Sequence, residues 1–412
     1  MPRFPRRVGA RFVALLRADS AGVRAGFVAL FISSGGDLVT GVTFASISNT
    51  LNLLPGLVVL VPAAIGMRGN VFGALGSRLG TQIHAGTFRL SRRRDTEVGQ
   101  NMAASLVSTL SISALLAVLA KLTVEMLVGG KSISVADFMV VSVVGAIISS
   151  IVVLVLTVAV AAFCANRSLD LDNVAAPIVT AAGDMVTLPS LFLATYLLDI
   201  RFFTPIVAVL CASSAVLVTV WAYRERGLPI MRRIVMESLP ILALAGMVDI
   251  LAGITIQKRF DALTALPALL VMVPAFLEDA GSLGAILSAR VATKLHLGTI
   301  SSDRPKWSGV TEDVMLVYVY AVPVFVFLGL SSTLVAAVLH KAGPGIVKML
   351  GVSLIAGFFA TTCSVVVGFY SAIATHRFGL DPDNHGIPLV TSSLDLLGAL
   401  SLILAIVILG LG

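Results

Sequence analysis

The stretch "MVVSVVGAIISSIVVLVLTVAVAAF", residues 139–163, holds no charged side chain and no glycine or proline cluster that would mark a turn. A helix rises about 1.5 Å per residue, so roughly 20 such residues cross the hydrocarbon core of a bilayer. The run is long enough to span a membrane, and runs like it recur from one end of the chain to the other. Of the 412 residues 57% are hydrophobic and 12% charged, with a mean hydropathy of +1.00. A water-soluble domain could not bury that much apolar surface. No polar stretch is long enough for a soluble domain, so the sequence reads as an all-α, polytopic membrane protein. Residues 1–20 are arginine-rich and lack the short apolar core and cleavage site of a secretory signal.

The net charge of +7 does not point to nucleic acid, because the basic residues fall in loops between spans and do not interleave with aromatics. Cys164, Cys211 and Cys363 lie in apolar segments without CxxC spacing and read as buried free thiols, with no disulfide and no metal site among them.

The chain repeats itself. A shift of 212 places Asp37 on Asp249, Gly41 on Gly253, Pro55 on Pro267, Pro62 on Pro274, Gly69 on Gly281, Arg78 on Arg290 and His84 on His296. Further along, a shift of 211 places Asp170 on Asp381, Asp172 on Asp383, Asn173 on Asn384, Pro177 on Pro388, Thr180 on Thr391 and Asp184 on Asp395. So many matched Pro, Gly and Asp residues mark an internal duplication. Each half holds five spans, near 23–48, 52–86, 99–127, 135–166 and 173–198, then near 230–256, 262–298, 311–338, 344–375 and 385–411. The second span of each half is too long for one straight crossing and turns polar after Pro62 or Pro274, which predicts tilt, a break or protrusion. An additional apolar run from Phe202 links the halves and brings the total to about eleven spans. Five spans and a linker are an even number, so the two repeats are expected to be parallel, related by a pseudo-twofold axis along the membrane normal. The resulting divisions are a basic cytoplasmic segment (1–22), the first repeat (23–199), the linking helix with an inner loop (200–229) and the second repeat (230–412).

Orientation follows from the basic residues. Arg3, Arg6, Arg7, Arg11, Arg17, Arg92–Arg94, Arg224, Arg226, Arg232 and Arg233 fall on one side, against Lys131, Arg201, Lys258, Arg259 and Lys341 on the other. The N-terminus is expected inside and the C-terminus outside the cell membrane.

Asp37, Asp184, Asp249 and Asp395 each fall near the middle of a span. A carboxylate at the bilayer centre costs about 2.5–3.5 kcal/mol on insertion scales, so duplicating it in both halves calls for a reason. Two matched carboxylates near a twofold axis would repel when empty and neutralise one divalent cation when occupied. The competing reading is an Asp bonded to a neighbouring helix through a hydroxyl such as Thr180 or Thr391. Pro177 and Pro388 lack an amide hydrogen, which frees the carbonyls of Asn173 and Asn384 as hard oxygen donors for magnesium or its waters, unless each proline merely opens its helix. Asp170, Asp172, Asp381 and Asp383 read either as acidic helix caps or as a cation-collecting inner mouth.

The second spans differ. "VPAAIGMRGNVFGALGSRLGTQIHAG" in the first half answers "VPAFLEDAGSLGAILSARVATKLHLG" in the second, so Glu278 stands for Gly66 and Asp279 for Met67. Glu278 and Asp279 could add ligands on one side only and make the path asymmetric. Gly69, Gly73 and Gly76 suit close helix packing, and His84 and His296 read as interfacial.

These motifs resemble the membrane domain of MgtE-type magnesium channels and, more closely, solute carrier family 41. "LVPAAIGMRGNVFGALGSRLGT" is similar to the second-span signature and "DNVAAPIVTAAGDMVTLPSLFLA" to the fifth-span signature, whose Asp lies in the ion path. That Asp matches Asp184 here, and Asp395 by the repeat. "GGDLVTG" and "MVDILAG" resemble the first-span Asp motif of the solute-carrier branch. The resemblance covers nearly all of residues 25–410. It implies transport of divalent cations, magnesium first, through a central acidic path in the lipid bilayer. Mg2+ is then the cargo, and no cofactor is implied. Channels of this type pair two five-span copies as a homodimer; one chain holding both copies would suffice as a monomer, and a higher oligomer stays open. The cytosolic sensor domains of those channels have no counterpart here, and Glu278 and Asp279 break exact twofold coordination.

The resemblance leaves channel and Na+- or H+-coupled exchanger equally open. An intramembrane aspartyl protease is the reading from another class, but "AAGDMV" places Ala181 where its GxGD motif needs glycine, and the chain duplicates one aspartate where a protease needs two different ones. An organic-substrate transporter would call for aromatic or polar pocket residues that the spans lack.

Overall fold

A computed structural model describes residues 20–91, 93, 96–129, 132–167, 171–302, 305–380 and 385–411, without the side chains of residues 21, 167 and 171–178. Arg3, Arg6, Arg7, Arg11, Arg17, Arg92, Arg94, Lys131, Asp170, Asp381, Asp383 and Asn384 lie outside the described residues. The described chain is all-helical, and no strand occurs among the described residues. In chain order the helices are α1 (Ser20–Ser46), α2 (Ser48–Leu53), α3 (Leu60–His84), α4 (Glu97–Thr123), α5 (Val135–Arg167), α6 (Leu171–Thr195), α7 (Phe203–Arg224), α8 (Pro229–Gln257), α9 (Phe260–Ala265), α10 (Pro267–His296), α11 (Thr311–Val338), α12 (Ile346–Phe378) and α13 (Ile387–Ile408). Ten of the described helices are long and apolar enough to cross a membrane, and α6 contributes the shorter apolar run Val179–Thr195. The protein is a multi-pass α-helical membrane protein.

The long second spans are interrupted, but not at the expected prolines. The first breaks between α2 and α3, where Gly56 adopts φ +90° ahead of a single 3-10 turn at Leu57–Val59, and the second breaks between α9 and α10. Pro62 is the third residue of α3, where a missing amide hydrogen is harmless, and α10 runs unbroken through Pro274. Pro177 and Pro388 share a register but not a role. Helix α6 starts at Leu171 and so contains residues 173 and 177, whereas Pro388 opens α13. For the second half the helix-opening reading holds.

The two halves interleave. Helix α1 packs along α10 and α6, while α8 packs along α3 and α13, so each half's first helix lies against the other half's second. The crossings are backbone-close at matched glycines. A Cβ on Gly41 would overlap the Val271 carbonyl oxygen, and one on Gly253 would overlap that of Val59. Only glycine permits this approach, which brings the mid-helix residues of α1 and α8 into the interior. Linking helix α7 lies against α4, α5 and α8 and leaves Val209, Val216 and Leu217 exposed by 67%, 62% and 68%, a surface that suits lipid and not water. The amide groups of Ile230 and Met231 at the start of α8 donate to Gln100 Oε1 at 2.9 and 3.3 Å, which ties the second half's first span to α4.

Candidate cation site

Asp37 on α1 and Asp249 on α8 are fully buried, as is Asp279 on α10, and Asp184 on α6 is 2% exposed. Asp395 on α13 and Glu278 on α10 are partly accessible. The four span-centre aspartates form two pairs: the carboxyls of Asp37 and Asp184 lie side by side, and so do those of Asp249 and Asp395. In an apolar interior, two carboxylates at such range repel unless a proton or cation stands between them. Asp37 has one weak donor, Ser33 Oγ at 3.4 Å, and its Oδ1 has no hydrogen-bond partner among the described residues. Both oxygens of Asp249 are in the same position, although Ser392 and Asp395 lie beside that carboxyl. Neither Thr180 nor Thr391 holds an aspartate: Thr391 Oγ1 donates to Asn70 Oδ1 at 3.2 Å.

One aspartate of each pair, Asp184 and Asp395, lines a cavity of about 30 Å³, room for one or two waters. Its lining consists of six matched couples: Phe44 and Ile256, Val61 and Val273, Pro62 and Pro274, Ile65 and Leu277, Gly66 and Glu278, and Asp184 and Asp395. The first five are related by 212 residues and the last by 211. Apolar side chains wall the cavity on all sides except where Asp184, Asp395 and Glu278 reach it. Among the described residues, no group of three or more His, Cys, Asp and Glu side chains could hold a bare metal ion.

Glu278 lies within electrostatic reach of Asp37 and Asp184 of the first pair and of Asp395 of the second. At the matching place on α3, Gly66 has no side chain, and a Cβ there would lie 2.9 Å from Asp249 Oδ2 and 3.3 Å from Asp395 Oδ2. The neighbouring Asp279 turns to α1, where Ser34 Oγ donates to its Oδ1 at 2.6 Å, so it serves the helix contact and does not line the cavity. The side chain of Asn173 and the whole of Asn384 lie outside what the structure describes. His84 and His296 are exposed near the ends of α3 and α10.

Arg68 stands out against the sequence-based reading. It is 1% exposed, next to Gly183 and therefore at the depth of Asp184. Its Nε donates to Ser149 Oγ at 2.7 Å, its Nη1 meets Met67 Sδ at 3.5 Å, and its Nη2 has no hydrogen-bond partner among the described residues. The signal was legible in the repeat: the residues matching Arg68 and Ser149 are Ala280 and Ala360.

The model of the family MgtE, divalent cation transporter, matches residues 61–194 and 273–405. The bounds of the two stretches differ by 212 and 211 residues, the register shifts of the sequence. Solute carrier family 41 member 3 of Mus musculus is 26% identical over 373 residues, covering 83% of this chain and 73% of the relative. Member 3 of Rattus norvegicus is 25% identical, covering 83% and 77%, and member 2 of Homo sapiens is 25% identical, covering 84% and 63%. No solved structure matches the chain. The two matched stretches make up more than half of the chain, which thus belongs to the MgtE family of divalent cation transporters and is not an enzyme.

Proposed function

We propose that the chain carries Mg2+ across the cell membrane along a path between its two halves, with Asp184 and Asp395 at the ion and Asp37 and Asp249 behind them. The observation that carries this reading is the cavity built from six matched couples with a carboxyl couple among them. Such a lining is what two parallel repeats around a pseudo-twofold axis would give, and one chain supplies both sides, so a monomer suffices. Mg2+ sheds water reluctantly and prefers octahedral oxygen coordination. A pair of carboxyls without a third ligand suits an ion held through its retained water. The asymmetry of the basic residues in the sequence supports an N-terminus inside and a C-terminus outside.

Exchange against Na+ or H+ is favoured over a passive channel by one observation. Asp37, Asp184, Asp249, Asp279, Asp395 and Glu278 carry more negative charge than one divalent ion and Arg68 cancel. The remainder calls for protons or a second cation. Purified protein in liposomes with an enclosed Mg2+ indicator tests both readings. Asp184→Asn with Asp395→Asn should abolish Mg2+ flux while the thermal transition is kept or raised, since a costly buried charge is gone. A well-folded double variant carrying Mg2+ at the parental rate would overturn the site. Dependence of the parental flux on a Na+ or pH gradient separates exchanger from channel.

A further inference from the structure

A second cavity lies toward the end of the bundle that carries Arg78, Arg232 and Arg233. It has a volume of about 20 Å³ and lies between Asn70 and Arg78 of α3, Ser105 and Ser108 of α4, Ser238 of α8 and Pro388 of α13. A water needs roughly 10–15 Å³ of such space together with polar partners. Those partners are present. Ser108 is 2% and Asn70 6% exposed, and neither Ser108 Oγ nor Asn70 Nδ2 has a hydrogen-bond partner among the described residues. Leaving both groups dry would forfeit the hydrogen bonds that each makes in water. The void therefore has the room and the partners to hold one water.

The repeat supplies an internal control. Shifted by 212, Ser105 becomes Val317, Ser108 becomes Tyr320 and Ser238 becomes Gly26. In that interface the space is filled. Tyr320 is 3% exposed, its hydroxyl donates to the Val23 carbonyl at 3.3 Å, and Phe27 meets its ring edge-on at 4.7 Å. A Cβ on Gly26 would come within 2.7 Å of the phenol oxygen, so the glycine makes room for the ring. Three changes at matched positions turn one interface into a polar void and the other into a plug.

One hydrogen-bonded residue stands between the void and the second carboxyl pair. Asn70 accepts from Thr391, and Thr391 stands one helical turn from Asp395 on α13. No carboxylate lines the void, so nothing there would strip water from a cation. Arg78 borders it with Nε held by Asn101 Oδ1 at 2.7 Å.

Resting on the transport reading above, we propose that this cavity is a one-sided aqueous port through which the hydrated cation moves between the carboxyl pairs and the basic end of the bundle, and that Tyr320 seals the equivalent route in the other interface. With room for a single water, the port is narrowed in this conformation, and passage requires α4 and α8 to part.

The plug can be transplanted. Ser108→Tyr with Ser238→Gly recreates Tyr320 over Gly26 in the open interface. The variant should lose Mg2+ flux in liposomes yet keep the thermal stabilisation that Mg2+ gives the parental protein, because the carboxyl pairs are untouched. Parental flux in a folded variant would overturn the port while leaving the transport reading intact. Loss of both flux and Mg2+ stabilisation would also overturn it, since the change would then have acted on the carboxyl site. Cysteine labelling decides the matter should the variant not fold. With Cys164, Cys211 and Cys363 replaced by alanine, Ser108→Cys should react with a small water-soluble methanethiosulfonate, whereas Val317→Cys, behind an intact Tyr320, should not. An unreactive Ser108→Cys, or equal reaction at both positions, would sink the proposal. A parental protein that moves no Mg2+ but shows this labelling contrast would count against the transport reading and not against the wet cavity.

Discussion

Gly66, Met67 and Arg68 on α3 occupy the places of Glu278, Asp279 and Ala280 on α10, and these three positions make the two carboxyl pairs unlike. Asp37 has both Glu278 and Asp279 within electrostatic reach and Asp184 has Glu278, and Arg68 packs against Gly183, the residue before Asp184, whereas Glu278 alone of these reaches Asp395. Asp249 and Asp395 lie against the bare backbone of Gly66. The glycines that set the helix crossings, Gly41 and Gly253, are the same in both halves, whereas the charges around the pairs are not. Duplication has preserved the placement of four carboxyls and left the surrounding field free to diverge. On the transport reading proposed above, a divalent ion between the halves would meet two different walls.

The largest effect should come from making the walls equal. Glu278→Gly with Asp279→Met gives α10 the residues of α3. Two unit charges about 4 Å apart interact by about 4 kcal/mol at an effective dielectric of 20, so removing Glu278 should weaken Mg2+ affinity on the order of tenfold or more. Thermal-shift titration of the purified protein with Mg2+ measures this. Unchanged affinity would mean that Glu278 does not act on the ion. Asp279 should contribute less than Glu278, because it does not line the cavity and accepts from Ser34 Oγ at 2.6 Å.

A smaller effect of opposite sign is expected at Arg68. Replacing a buried charge by an apolar side chain of similar volume is often neutral or stabilising by about 1–4 kcal/mol. Arg68→Met should leave the fold as firm or firmer, and it should raise Mg2+ affinity by removing a positive charge at the depth of Asp184. A loss of stability would show that the guanidinium has a partner worth more than its burial costs.

Much of this comparison could be read without coordinates. The apolar run at residues 139–163 decided the membrane class, and matched Pro, Gly and Asp residues exposed the duplication. The repeat leads one to expect twofold-related couples of carboxylates near an axis, whereas the structure sets Asp37 beside Asp184 and Asp249 beside Asp395, a pairing within each half that the sequence does not show. A helix in a bundle and bilayer is apolar all round, so its sequence shows no polar face to say where an aspartate points. Contacts between distant spans were equally hidden: Ser34 and Asp279 stand 245 residues apart, and neither residue type implies the other. The break of the second spans was expected near Pro62 and Pro274, yet it lies ahead of them, because a proline in a first turn needs no partner and a bilayer bundle tolerates one inside. Mismatches between the halves carried the remaining information. Ser108 against Tyr320 and Arg68 against Ala280 are visible once the 212 shift is applied, but only packing shows that one is a void and a plug.

The smallest effect concerns stability alone and separates the fold from the path. Asp313, fully buried at the start of α11, accepts from Arg290 Nε at 2.9 Å and pairs with Lys294, which also donates to the Gly309 carbonyl at 3.0 Å. At the matching places Asn101 accepts from Arg78 Nε at 2.7 Å and Gln82 stands for Lys294. One half thus ties its second and third spans with charges and the other with a neutral amide. Breaking a fully buried ion pair costs about 3–5 kcal/mol, but Arg290 and Lys294 are 29% and 28% exposed, and water screens them. Asp313→Asn should therefore lower stability by about 1–2 kcal/mol, seen as a small drop in the detergent melting temperature that narrows at high salt. Adding Lys294→Gln recreates the neutral set of the first half and should recover part of the loss, because the cation left without its carboxylate is gone. Mg2+ flux should be unchanged in both variants, since neither residue lines the central cavity. A change in flux at parental stability would mean that the charge at this end of the bundle acts on the ion, and that the difference between the halves reaches further along the path than the carboxyl pairs.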